Sequence, residues 1–334
     1  MKPGLVEHLR CPACRAPLTL TIDDSAGDDV VTGSLACNGC AARFAIRDSV
    51  PRLLPPEKAE PIVRQTAETF GYGWAHGAVQ PVTATIPWHY VKMQRALNLA
   101  PPSGMILDAG CGDGIDLANQ ALAAHDDVIG VDVSDGGVAQ SWRRAGHLPR
   151  AHVVQADLRH LPFADATFGT VYSYGVLHHI PEPDEAADEL ARVARPEASI
   201  AIYLYEDFVE RSLLLHTALS VANLLRIVTT RLSPAALMRV CRMASPVVFL
   251  LCVVPYRILK RVPAARGIAR NIPFRHARHP FGLSGDLYDR LGAPIEFRYT
   301  RAGAAALLEE AGLHVTTVGN DRGWMVAARK PALL

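Results

Sequence analysis

The chain has 334 residues, 49% of them hydrophobic and 20% charged, and a formal net charge of +1. That is the composition of a globular protein of two or three domains, and the near-zero balance excludes a polyanionic partner recruited by bulk charge. The opening MKPGLVEHLRCPAC holds no apolar run of the secretory type, and no apolar stretch reaches the ~18–20 residues of a spanning helix. The expectation is therefore a cytoplasmic protein.

Two C-x-x-C pairs come first, CPAC (11–14) and CNGC (37–40). Each makes a tight turn that aims two thiolates at one point, and Asn38 and Gly39 supply turn residues in the second. Two such pairs at this separation fit a tetrahedral, structural Zn2+ site of Cys11, Cys14, Cys37 and Cys40. The rival, a redox dithiol, needs one pair beside a βαβ pattern. DDSAGDD (23–29) reads as a hairpin tip between two strands. A piece this short cannot build a full core, so the metal is expected to supply folding energy. With the trailing FAIRDSVPRLLP, residues 5–55 resemble the small zinc-ribbon activators of tRNA and rRNA methyltransferases. That resemblance implies the fold more than the function.

PPEKAEP (55–61) reads as a charged, proline-rich linker. In TAETFGYGWAHG (66–77), Phe70, Tyr72 and Trp74 either lie over a ligand or dock onto the next domain. Residues 56–87 are thus a linker and aromatic docking segment.

SGMILDAGCGDGIDLANQALA (103–123) carries the most information. Met105–Ala109 is a short buried strand. Gly110, Gly112 and Gly114 then permit a tight turn and close backbone approach before a helix. Further strands are expected at DVIGVDVS (127–134), AHVVQADLRHLPF (151–163), TFGTVYSYGVLHHIPEP (167–183) and ASIAIYLYED (198–207), with a helix over Asp184–Ala194. Strands alternating with helices imply a parallel sheet with right-handed crossovers. The dinucleotide fingerprint G-x-G-x-x-G fails, because its third slot is Ile115. Asp108 before the glycines would repel a pyrophosphate, whereas a cationic ligand would tolerate it. Asp132, ending the second strand, can accept from ribose hydroxyls. The expected ligand is a nucleoside with a positively charged tail.

LDAGCGDG, GVDVS and QADLRHLPFADATFGTVYSYGVLHHIP resemble a class I S-adenosylmethionine (SAM)-dependent methyltransferase, similar in GVLHHI to the quinone C-methyltransferases. The resemblance implies an α/β, Rossmann-like, seven-stranded sheet and SAM as cofactor. It assigns Asp108, Ala109, Gly110 and Gly112 to the methionine part. Asp132 and Val133 fall to the ribose, and Asp157 and Leu158 to the adenine. Tyr174 and Gly175 come near the methionine end. The tail supplies a helix and strand at 300–319 and a last strand at 323–330 to finish the sheet, one of them antiparallel.

Methyl transfer from a sulfonium needs chiefly alignment, and a base only where the acceptor must lose a proton. The carboxyl ends of strands four and five bring Tyr174, His178, His179, Tyr205, Glu206 and Asp207 as candidates. Tyr174, His178 and His179 are taken as the catalytic set, against the plainer reading of satisfied loop residues. Glu206 and Asp207 read more simply as an exposed turn. Cys111, Cys241 and Cys252 read as space-filling.

Between strand five and the last helix lies an insertion. RSLLLHTALSVANLLRIVTTRL (211–232) has helical periodicity, and 233–262 predicts one or two helices broken at Pro246 and Pro255. Residues 207–280 hold twelve Arg and Lys, including Arg211, against Asp207 and Glu210, a local +10 against −9 for the rest. Four roles stay open: a lid over an apolar substrate, an anionic membrane surface that would make the protein peripheral, a homodimer interface, or nucleic acid. The apolar partners are Leu and Val rather than stacking aromatics, which disfavours nucleic acid.

The expected domains are a zinc ribbon (1–55), the linker segment (56–87), a SAM-binding core (88–206), the helical insertion (207–296) and the closing helix and strands (297–334). The expected function is methyl transfer to a hydrophobic or lipid-like small molecule. An rRNA or tRNA base methyltransferase and a non-catalytic SAM-binding scaffold are the alternatives. Against the first stands SYGVLHH, where amino-group methylators usually carry an Asn/Asp-Pro-Pro-aromatic motif.

Overall fold

The structure, a computed structural model, describes residues 1–55, 60–76, 88–209, 213–270 and 272–332. Most of the 55–61 linker, and Arg211 of the insertion, lie outside the described residues. The chain forms two compact units, one of Met1–Ala67, Val82–Glu206 and Ile295–Leu334, the other of Glu68–Pro81 and Asp207–Pro294.

In chain order, strands β1 (Leu18–Ala26), β2 (Asp29–Cys37), β3 (Arg43–Arg47) and β4 (Val50–Pro51) come first. Helices α1 (Pro61–Ala75) and α2 (His89–Leu97) follow, then β5 (Ile106–Ala109), α3 (Ile115–Ala123), β6 (Val128–Asp132), α4 (Asp135–Ala145) and β7 (Ala151–Gln155). Next are β8 (Phe168–Tyr174), α5 (Pro183–Val193) and β9 (Ala194–Leu204). The insertion carries α6 (Leu213–Thr229), α7 (Pro234–Val248), α8 (Val254–Leu259), α9 (Arg266–Arg270) and α10 (Ser284–Gly292). Finally come α11 (Arg301–Glu310), β10 (His314–Asn320) and β11 (Trp324–Arg329).

The first unit holds a seven-stranded sheet in the order β10-β11-β9-β8-β5-β6-β7. Strands β5 to β9 run parallel, and β11 lies antiparallel to both β9 and β10. This is the fold expected from the sequence. Successive side chains of a strand face opposite sides. Accordingly Leu107 and Ile129 join one apolar cluster while Ile106 and Val128 join the other. Both faces are covered, which is why the parallel strands read as near-continuous apolar runs. Strand order reverses at β5, between β6 on one side and β8 on the other, and a ligand crevice is expected at such a switch point.

The ribbon forms its own antiparallel sheet, β1-β2-β3-β4, with the tip at Gly27. Its apolar side chains do not close on themselves. Leu5, Leu9, Leu35, Phe44, Ile46 and Leu53 share one cluster with Leu161, Phe163 and Leu190 of the seven-stranded core. Burying a side chain of that size contributes about 1.5–3 kcal/mol. Backbone bonds join the two sheets: Leu53 N–H donates to Gln155 O at 2.8 Å, and Arg10 N–H to Pro162 O at 2.8 Å. Lys2 Nζ donates to Gly146 O and Ala151 O, both at 3.0 Å. The ribbon thus braces the edge strand β7.

The second unit has its own core around Leu237, Cys241, Val253, Leu283 and Tyr288, joined by Tyr72 from α1. The Tyr288 hydroxyl donates to Thr69 O at 2.9 Å, and Tyr72 lies 6.2 Å from the Tyr288 ring. Cys241 is buried as expected, but Cys252 is only half-buried. The breaks expected at Pro246 and Pro255 do not occur. A single 26-residue helix runs from Pro234 to Leu259, with a π segment at Phe249–Val253. A proline ring clashes with the carbonyl four residues back, and the wider π turn just before Pro255 makes room for it. By length and composition alone this helix is long and apolar enough to cross a membrane, contrary to the expectation from its sequence.

Candidate active site and metal centre

In the ribbon the four thiol sulfurs of Cys11, Cys14, Cys37 and Cys40 lie within 4.8 Å of one another. A zinc–sulfur bond of about 2.3 Å sets tetrahedral edges near ~3.8 Å. The Cys11–Cys40 sulfurs are 3.8 Å apart and the Cys14–Cys37 pair 3.3 Å. Gly39 and Cys40 each aim a backbone N–H at Cys37 Sγ, at 3.3 Å. Burial is the largest single influence on Cys37 and opposes ionisation. Those two donors and the neighbouring thiols outweigh it and bring the group down to about 7. Burial pushes Cys11 up to about 12. Four converging thiols with amide donors already in place fit a zinc ion, which would hold CPAC and CNGC together.

After β5 the chain turns through Gly110 (φ +93°), Gly112 (+51°) and Gly114 (+75°). A Cβ at Gly110 would stand 2.2 Å from Val176 Cγ2, and one at Gly114 would stand 2.6 Å from Ser141 Cα. Only glycine suits both the left-handed backbone and that closeness. The loop is tied to β6 through Asp132, whose Oδ2 accepts from Gly112 N–H at 3.0 Å. Asp132 Oδ1 accepts from Ser134 N–H at 2.8 Å and Ser134 O–H at 2.6 Å. Ser134 Oγ in turn caps α4 by accepting from Gly137 N–H at 3.1 Å. A carboxylate oxygen accepts about two hydrogen bonds, so Oδ1 is filled and Oδ2 has room for one hydroxyl.

Asp108 is buried, and its Oδ2 has no hydrogen-bond partner. Burial above all, then the charge of Asp116, holds this carboxyl well above the usual range, with the Tyr172 hydroxyl working weakly the other way. An orphaned buried carboxylate oxygen beside a glycine turn is the feature that fits a cationic or donor-bearing ligand. Ala109 is buried, and its carbonyl accepts from Ser173 O–H at 2.7 Å. Val133 O accepts from Gln155 at 2.9 Å. Asp157 spends most of its capacity on Arg159, which reaches its Oδ2 at 2.8 Å, and Leu158 beside it is buried. Cys111 is buried 3.3 Å from Ser141 Oγ, and burial raises its thiol well above its ordinary value, as befits a space-filling group.

The ends of β8 and β9 carry an aromatic row. His89 stacks on Tyr174 at 4.1 Å and Tyr174 on Tyr203 at 4.3 Å. Tyr203 meets Tyr205 edge-on at 6.2 Å, and Tyr205 packs on His178 at 3.9 Å. Gly175, at φ +77°, opens beside the row, where an added Cβ would meet nothing within 4 Å. Both ring nitrogens of His178 are buried without partners, and burial first, then His179 and Arg298, keep the ring neutral. His179 Nδ1 donates to Ile295 O at 2.7 Å, which leaves Nε2 as its basic nitrogen. Glu206 is buried rather than exposed, and its Oε2 accepts from Asn320 at 3.0 Å. Asp207 accepts from Val209 N–H at 3.1 Å, a turn contact.

The glycine loop, Asp108 and Asp132 come together as one group, and Tyr174, His178 and His179 belong to the aromatic row. Sequence reasoning missed His89 and Lys92. His89 Nδ1 meets Asp116 Oδ2 at 2.8 Å, and Lys92 bridges Asp321 at 2.7 Å while donating to the Tyr174 hydroxyl at 3.1 Å. Their i, i+3 spacing, which puts both on one face of α2, was the available signal.

Sheet order, switch-point loop and thiol cluster together give a seven-stranded α/β core with a glycine turn at its crevice, and a four-thiol ribbon packed on it. Residues 107–202 match the family model of the methyltransferase domain, and residues 2–49 that of the Trm112p-like protein. The chain is 33% identical over 40% of its length to the 27-O-demethylrifamycin SV methyltransferase of Amycolatopsis mediterranei, covering 52% of that protein. It is 33% identical over 32% of its length to cycloartenol-C-24-methyltransferase 1 of Oryza sativa, covering 33% of that protein. The chain therefore spans about a third to a half of these curated relatives. Among solved structures, a complex of the Haloferax volcanii Trm112 methyltransferase activator with a methyltransferase aligns at 13% identity and TM-score 0.47, over 80% of this chain and 99% of that one.

Proposed function

We propose that the protein transfers the methyl group of SAM to a hydrophobic, lipid-like small molecule. The observation that carries this reading is the aromatic row from Tyr174 to His178 beside the glycine loop. Stacked rings of this kind suit an apolar acceptor. The relatives that act on a rifamycin and on cycloartenol support the same class.

In this reading Asp108, Ala109, Gly110 and Gly112 hold the methionine part, and Asp132 and Val133 the ribose. Asp157 and Leu158 border the adenine, and Tyr174 and Gly175 face the methionine end. The cofactor supplies an already activated methyl group. The protein's task is to align the acceptor and exclude water. His179 Nε2 is the nitrogen that takes a proton where the acceptor has one to lose, and the buried, neutral His178 holds Tyr205 in place.

The test is isothermal titration with SAM, together with native mass spectrometry of the protein as purified. Micromolar binding, weakened about tenfold by Asp132→Asn through loss of a charged hydrogen bond, is expected. A lipid-like molecule should co-purify. RNA that stays bound at high salt would replace this reading with RNA base methylation.

A further inference from the structure

The second unit carries an unusual surface. Of nineteen exposed large hydrophobic side chains among the described residues, sixteen lie between Val209 and Phe281. The 26-residue helix Pro234–Leu259 is two-faced. Leu237, Met238, Cys241, Ser245 and Val253 are buried in the unit's core. On its other side Val240, Met243, Val247, Leu250 and Leu251 are 44–79% exposed. On α6, Leu224, Ile227 and Val228 are exposed at 54–67%. Cations border these apolar faces: Arg231, Arg239, Arg242, Arg257, Lys260 and Arg261 are all exposed.

We infer that this unit docks on the surface of an anionic lipid bilayer, with the apolar sides of α6 and the long helix sunk among the acyl chains and the arginines at the phosphates. Charge complementarity selects this occupant. Residues 207–280 carry +10. A second copy would bring that positive face against itself, since a two-fold interface pairs like with like. Nucleic acid would satisfy the arginines and leave a field of Leu, Val and Met in water. An anionic bilayer takes both, because a basic amphipathic helix binds by buried apolar area plus attraction to acidic headgroups.

The helix lies in the interface and does not cross it. Its inner face is fixed by polar bonds that a spanning helix would break. Ser245 O–H donates to Pro280 O at 2.6 Å, and Arg257 donates to Ala277 O at 3.0 Å. Arg239 and Arg242 stand in its first turns. The inference is independent of the proposed reaction.

The experiment is flotation of the full-length protein with vesicles of phosphatidylcholine containing a quarter phosphatidylglycerol, against phosphatidylcholine alone. Binding to the anionic vesicles is expected to be at least about tenfold tighter, and to fall as salt rises. Met243→Asp with Leu250→Asp, at exposed positions, should abolish it. Arg239→Glu with Arg242→Glu should weaken it about tenfold or more. Circular dichroism and SAM titration without vesicles show that the variants are folded and separate this result from the proposed reaction. Equal binding to neutral vesicles, or none to either, overturns the inference. So does a dimer that M243D/L250D dissociates, RNA retained on the basic face, or resistance to carbonate extraction in cells.

Discussion

In the proposed reading, Asp108 trades stability for binding. Its buried Oδ2 has no partner, and burial first, then Asp116, raises its folded pKa well above 3.8. The folded chain therefore holds this proton more tightly than the unfolded chain. The resulting contribution is present below about pH 4 and is lost as pH rises through the folded pKa. Asp108→Asn removes the charge but keeps the shape. We expect it to raise the melting temperature near pH 7 and flatten the fall in stability above pH ~4, with about 2–4 °C for each kcal/mol in a domain of this size. SAM affinity should drop about ten- to a hundredfold, the worth of a charge-assisted hydrogen bond. Calorimetry from pH 4 to 8 with SAM titration checks both, and a less stable D108N would contradict the assignment. The acid at Asp108 beside a glycine turn is a local pattern, readable in the sequence. His89 and Lys92 are not, because their partners Asp116 and Asp321 lie 27 and 229 residues away.

At the scale of elements, the ribbon departs most from what its length suggests. A four-cysteine piece was expected to rely on metal for want of a core, yet Leu9, Phe44 and Leu53 pack into the cluster that backs the main sheet. The local pattern could not reveal this, because the partners Leu161, Phe163 and Leu190 belong to a distant segment. One consequence is that the metal should hold more than the ribbon. Cys37→Ser with Cys40→Ser removes half the ligands and the thiolate that Gly39 and Cys40 N–H stabilise. We expect one zinc per chain in the parent by elemental analysis and none in this variant. SAM binding should also weaken severalfold, as β7 loses the bond from Leu53 to Gln155. Intact SAM binding in a zinc-free variant would show that the brace stands without its metal. The continuous helix through Pro246 and Pro255 was likewise not readable, since a π turn leaves no composition signal of its own.

For the whole molecule, the insertion's two ends matter more than its length. The chain leaves the first unit at Glu206 and rejoins it at Ile295. There the returning strand lies beside the departing one: Glu206 bridges Tyr299, Tyr299 N–H donates to Tyr205 O at 2.9 Å, and Phe297 N–H to His178 O at 2.8 Å. Arg298 adds a bond to Glu206 O at 2.8 Å. Ends held this close can be joined by a short linker, because closure entropy grows only slowly with loop length and a shorter loop costs less. Replacing residues 208–294 with a Gly/Ser linker, and Tyr72 with Ser since its core neighbours leave with the insertion, should therefore give a folded protein. We expect it to bind SAM within about threefold of the parent, given that every residue assigned to the cofactor lies outside the deleted segment. It should lose vesicle binding entirely. If the shortened chain neither folds nor binds SAM, the insertion is part of the core's stability. If it still floats with anionic vesicles, the lipid-binding surface lies elsewhere than on the helices of residues 213–270.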